Sequence, residues 1–130
     1  MASFLNPPTV HVPVGNYTHT AVVPAGTELV FISGQVGIRP DGSVPESFAE
    51  QTETVFANLR ACLAAHGLEM DSVVKINAYL VAGHDVQAMR AVRARYFGAH
   101  KPASTAVFVP ALVSPELLLE VEAIAERKAP

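Results

Sequence analysis

Tryptophan is absent, and cysteine occurs once, at Cys62. A lone thiol excludes a disulfide framework within the chain and a thiolate metal site. Charge is scarce too. Asp, Glu, Lys and Arg supply 16% of the 130 residues, where about 25% is usual for soluble domains. The nine Lys and Arg are scattered and the net charge is −3, a poor electrostatic footprint for a phosphate backbone, so nucleic acid is not an expected partner. No apolar run approaches the ~20 residues of a membrane span, and nothing has the layout of a signal peptide. The expected location is the cytoplasm, away from membranes. Nucleophile elbow, phosphate loop and dinucleotide fingerprint are all missing. The five histidines (His11, His19, His66, His84 and His100) include no i,i+4 pair and no carboxylate partner at ligand spacing, so no metal and no other cofactor is expected.

What is present is apolar. Half of the residues are hydrophobic, enough in one domain spanning 1–130 to bury a real core. So few charges leave a monomer poorly covered, which predicts apolar surface buried against copies of the same chain. The Pro-rich start, with Pro7, Pro8 and Pro13, reads as an extended arm. Thr18 to Val23 and Glu28 to Ser33 are strand-like around Pro24-Ala25-Gly26-Thr27, which predicts a hairpin. Gln35 to Ile38 reads as the start of a further short strand. Apolar residues at 48, 55, 56, 59, 62, 63 and 66 form a helical stripe ended by Gly67, with Cys62 in the core. Val73 to Val81 alternates as a strand. Asp85 caps a helix running to Phe97, with Val86, Met89, Val92, Arg93, Tyr96 and Phe97 on one side and Gly98 at its end. Thr105 to Val109 and Leu117 to Glu126 are strands.

The order β-β-α-β-α-β-β gives an α+β fold: a two-layer sandwich, a mixed β-sheet with two helices on one face. In the second strand Leu29 and Phe31 point one way and Val30 and Ile32 the other. Both sheet faces are therefore apolar, while two helices cover only one. A closed homo-oligomer with the helix-free faces at its centre is expected.

In the last strand, Leu117, Leu119, Val121, Ala123 and Ala125 share one face, while Glu120 and Glu122 share the other with Leu118 and Ile124. Paired carboxylates among apolar neighbours are either a solvated face or a general acid/base tuned by its surroundings.

Phe31-Ile32-Ser33-Gly34-Gln35-Val36, Tyr96-Phe97-Gly98-Ala99-His100-Lys101-Pro102-Ala103 and the ending Glu120-Val121-Glu122-Ala123-Ile124-Ala125 occur in this order, and with them the chain resembles the Rid (reactive intermediate deaminase, or YjgF) family over nearly its whole length. The resemblance implies a homotrimer of chorismate-mutase-like domains, with sites in the clefts between subunits and a small-molecule substrate. It implies Glu120 as the residue that positions the water attacking an imine carbon, and Tyr17 as a second catalytic residue closing the pocket. Substrate would be held by Ser33, Gly34, Ser104, Thr105 and Ala106. Gly34 also reads as the glycine of a β-bulge, and Glu122 as structural, pairing with a basic side chain of a neighbouring subunit. Tyr17 and His19 would share a face of an extended segment.

One departure bears on activity. Where family deaminases carry P-A-R-S/T, with an arginine gripping the substrate carboxylate, this chain reads Pro102-Ala103-Ser104-Thr105. A serine supplies neither charge nor a fork of donors. Arg39, Lys75, Arg90, Arg93 and Lys101 are the candidate replacements, and Phe108 points to a more apolar pocket. The expectation is a Rid-like hydrolase deaminating an imine or enamine with a non-standard substrate. The alternative is a catalytically silent protein of the same fold that binds a metabolite or partner protein as regulator or chaperone. Ribonuclease activity, attached to some relatives of the family, is disfavoured by the acidic balance.

Overall fold

The computed structural model describes residues 1–127. Strands β1 (Ser3–Leu5) and β2 (Thr20–Val22) form a small antiparallel sheet. Strand β3 (Glu28–Val36) leads to helix α1 (Phe48–Ala64) and a 3-10 turn at Met70–Ser72. Then come β4 (Val73–Val81), helix α2 (Val86–Phe97), β5 (Ala103–Val109) and β6 (Leu119–Arg127). The four-stranded sheet has the order β3-β6-β4-β5. β6 pairs antiparallel with both β3 and β4, and β5 pairs parallel with β4 across the α2 crossover. Two helices packed on a mixed sheet make the expected α+β fold.

Each helix starts and stops for a local reason. Ser47 Oγ accepts from the Glu50 amide at 3.1 Å, satisfying one of the orphan donors of the first turn of α1. Its end closes with Leu68 N–H to Leu63 O and Gly67 N–H to Ala64 O, both 3.0 Å. Gly67 has φ +71° there, a conformation glycine adopts without a Cβ clash. Asp85 caps α2 through Gln87 N–H, and Gly98 at φ +59° ends it. Val55, Phe56, Leu59 and Leu63 of α1 pack on Val30, Ile32, Ile76, Leu119, Val121, Ala123 and Ala125 of the sheet. The last four of these are the odd-numbered face of β6, as the alternation predicts.

Four expectations change. The turn at Pro24–Thr27 exists, with Thr27 N–H on Pro24 O at 3.3 Å, yet its flanking strands do not form a hairpin. β2 pairs with β1, because Thr20 Oγ1 bonds Leu5 O at 2.7 Å and the His19 amide bonds Asn6 Oδ1 at 2.8 Å. β3 takes the longer partner, β6, which buries Val30 and Ile32. The start of the chain is thus not wholly an arm, since Ser3–Leu5 is a strand. The separate strand expected from Gln35 is instead the end of β3, continued through an irregularity between Ile32 and Gln35. The final strand begins at Leu119, because Leu117 N–H turns back to Ser114 O at 3.1 Å.

Candidate functional site

Glu120 owes its position to Gly34. Ile32 pairs with Ala123 and Gln35 with Val121, so β3 carries one more residue than β6 over this stretch, a β-bulge at Ser33–Gly34. A Cβ on Gly34 would overlap the Glu120 carboxyl oxygen and stand 2.6 Å from its Cδ. The bulge and the close approach, two separate readings of this glycine, are one device. The atom approaching the bare backbone is Glu120's own carboxylate. Half-buried, the Glu120 side chain makes no hydrogen bond or ion pair among the described residues.

Its neighbour Glu122 is engaged within the chain. It accepts from the Tyr79 hydroxyl at 2.6 Å and from Asn77 Nδ2 at 3.2 Å. That bond, reinforced by partial burial and by the Glu122 and Glu120 charges, pushes the Tyr79 phenol above its ordinary pKa of 10.0. Tyr79 lies across from Glu120 in the β4–β6 pair. Sequence reasoning counted it only as an alternating strand position, and nothing in its local pattern marks it further.

A second arrangement lies at the β5 edge. Tyr17 and Asn16, α2, and Ser104, Thr105 and Ala106 of β5 line a cavity of about 480 Å³. Thr18 fixes that wall, its amide on Pro102 O at 3.2 Å and its hydroxyl on Lys101 O at 2.6 Å. Into it comes Arg93 from α2. Its Nη1 donates to Ser104 Oγ at 3.0 Å, its Nη2 to Asn16 O at 3.1 Å, and its guanidinium lies 5.6 Å from the Phe97 ring centre. Only 8% of Arg93 is exposed. Burial lowers its pKa below the ordinary arginine value, and a guanidinium remains charged at neutral pH. No carboxylate pairs with it among the described residues. Its place on the apolar side of α2, with Met89, Val92 and Phe97, is local and legible, while its reach to Ser104 is not.

The other candidate cations go elsewhere. Arg39 pairs with Glu50 at 3.8 Å, Lys75 bonds Thr105 Oγ1 at 3.0 Å, and Lys101 is exposed. Arg90 lines the Arg93 cavity. Phe108 is 60% exposed and does not line it. The His19 ring stands edge-on to Tyr17 at 5.5 Å.

One chain therefore collects the expected site residues in separate places. Tyr17, Ser104, Thr105 and Ala106 share the cavity with Arg93. Ser33 lines a hollow with Lys75, Asn77 and Glu122. Glu120 lines a third with Tyr79 and Glu122. Among the described residues no group of three His, Cys, Asp or Glu is placed to hold a metal ion, and no helix is long and apolar enough to cross a membrane.

A family model described as endoribonuclease L-PSP matches residues 9–127. A RutC family protein of Pyrococcus horikoshii is 38% identical over 118 residues, covering 89% of this chain and 90% of the relative. Reactive Intermediate Deaminase A, chloroplastic, of Arabidopsis thaliana is 37% identical over 99 residues, 75% of this chain and 52% of the relative. The crystal structure of YyfB, a Rid-family protein of unknown function from Yersinia pestis, superposes with a TM-score of 0.86 at 31% identity, over 97% of this chain and 98% of that one.

Proposed function

Since the chain belongs to the endoribonuclease L-PSP family, which includes the Rid proteins, we propose that it is a cytoplasmic small-molecule hydrolase that deaminates an imine or enamine between subunits of a homotrimer. The observation that carries this reading is the Glu120 carboxylate, unpartnered and laid over the bare backbone of Gly34. A free, half-buried carboxylate beside a cleft is placed to exchange protons with water. Glu120 takes a proton from a water molecule as the water oxygen adds to the imine carbon. The nitrogen is protonated, the C–N bond breaks, ammonia leaves, and the carbon keeps the oxygen as a carbonyl.

Tyr17 and Ser104 to Ala106 line a different cavity from Glu120 in one chain, so a neighbouring copy is needed to bring the two sets to one substrate. In the assembled cleft, Ser33 and Gly34 face substrate beside Glu120. Tyr17, Ser104, Thr105 and Ala106 of the adjoining subunit close over it. The plant relative named as a deaminase supports this class of reaction.

The test is ammonia release from 2-iminopropanoate, generated in situ by an amino-acid oxidase and followed by competition with semicarbazide. Accelerated loss of the imine is expected, and Glu120→Gln should cut the acceleration on the order of a hundredfold. One observation favours a second reading, binding without turnover as a regulator or chaperone: Ser104 stands where the resemblance places an arginine. No acceleration by folded protein, together with a ligand-induced rise in melting temperature, would replace the first reading by the second.

A further inference from the structure

The Arg93 cavity holds a combination that is costly unless something else completes it. Removing a guanidinium from water carries a desolvation penalty, normally offset by an anionic partner. Here the partners are one hydroxyl and one backbone carbonyl, both neutral. The second charged residue on the cavity wall is Arg90, exposed, its side chain with no hydrogen bond or ion pair among the described residues. No Asp or Glu lines the cavity. Arg90 and Arg93 are three residues apart on α2 and so project from one side of it. They are offset by about 4.5 Å along the helix axis, one at the floor and one at the mouth.

We propose that Arg93 is the substrate-anchoring cation of this protein, held in place by Ser104 and the Asn16 carbonyl, and that with Arg90 it selects a substrate carrying two carboxylates, a four- or five-carbon 2-imino dicarboxylate. The inference rests on the hydrolase reading for the imine and on the cavity alone for the two anions. Position 104 then has a defined use. Its hydroxyl aims a guanidinium that arrives from the helix instead of carrying one on the strand. The buried Arg93 takes the carboxylate next to the reacting carbon, with fork geometry suited to two parallel hydrogen bonds. Arg90 meets the distal carboxylate near solvent, where the pairing is weaker and sensitive to salt.

The decisive experiment is calorimetric titration with 2-oxoglutarate and with 2-oxobutanoate, stable analogues of a dianionic and a monoanionic product. The parent protein should bind 2-oxoglutarate the more tightly, by roughly tenfold. Arg90→Gln should bring the two ligands to equal affinity. Arg93→Met should weaken both by roughly 10- to 100-fold, the range for a lost hydrogen bond to a charged group. Melting temperature separates anchoring from a structural role. Without ligand, Arg93→Met should melt no lower than the parent, because it removes an uncompensated buried charge. A guanidinium serving only to cross-link α2 to Ser104 and Asn16 would lower the melting temperature when replaced.

Equal affinity of the parent for both ligands, no binding of either, or unchanged affinity in Arg93→Met would overturn the inference. Imine hydrolysis measured on the same samples keeps the two readings apart. Turnover indifferent to both arginine variants leaves the hydrolase standing and removes the anchor. The predicted binding pattern without turnover keeps the anchor and removes the hydrolase.

Discussion

At the scale of single residues, Gly34 and Glu120 are a coupled pair. The three atoms closest to a Cβ at position 34 all belong to the Glu120 side chain beyond its own Cβ. Gly34→Ala should therefore displace the carboxylate, destabilise the protein by about 1–3 kcal/mol and abolish whatever chemistry Glu120 performs. Trimming both residues, as Gly34→Ala with Glu120→Ala, should recover most of that stability. A double-mutant cycle by urea denaturation reads the coupling, and additive losses would mean that the carboxylate lies elsewhere in solution. Tyr79 gives a pH test. Its phenol pKa is raised by the bond to Glu122, so that bond's contribution is complete below pH about 10 and lost as pH climbs through the folded-state value. In Glu122→Gln, ultraviolet titration of the three tyrosines should show the last to ionise moving downward. Glu120 stood out in sequence because two carboxylates interrupt an apolar strand. Arg93 did not, being one of five cations, because which one reaches position 104 depends on the packing of α2 against β5, a distance that no local pattern encodes.

At the scale of elements, both helices could be read from the chain because caps and stripes are local. Ser47, Gly67, Asp85 and Gly98 each act within one turn of where they stand. Strand partners could not. A turn such as Pro24–Thr27 fixes a reversal of direction, while the choice between β1, β2 and β6 as neighbours is settled by contacts far along the sequence. One side chain joins helix to sheet margin. Gln51, in α1, donates to Pro45 O at 2.9 Å and Glu116 O at 2.7 Å and accepts from the Leu118 amide at 2.9 Å. Gln51→Leu keeps the volume and orphans all three backbone groups, at a cost of about 2–4 kcal/mol. Thermal denaturation should show that loss. Because Glu116 and Leu118 flank the entry to β6, hydrogen exchange should also quicken in residues 111–118, beside the Glu120 hollow.

At the scale of the whole molecule, the helix-free side of the sheet exposes Leu29 by 41%, Phe31 by 72% and Val107 by 43%. Burying a large apolar side chain is worth about 1.5–3 kcal/mol, so several on one face favour association; in light scattering the parent should give a closed oligomer and Phe31→Glu should give monomers. The strand order has a different reach. β6 lies between β3 and β4, contributing the neighbour that each of them needs. While the chain is being made, β4 can pair with β5 as soon as residues 103–109 emerge, but β3 has no partner, and the two are not joined, until residues 119–127 have left the ribosome. Helices can form early on the nascent chain, but the sheet beneath them is completed in one late step. A chain stopped before Leu119 is then not a shorter version of this protein. It is one in which β3 has no partner and β4 keeps only β5, leaving bare strand edges as material for proteolysis or aggregation.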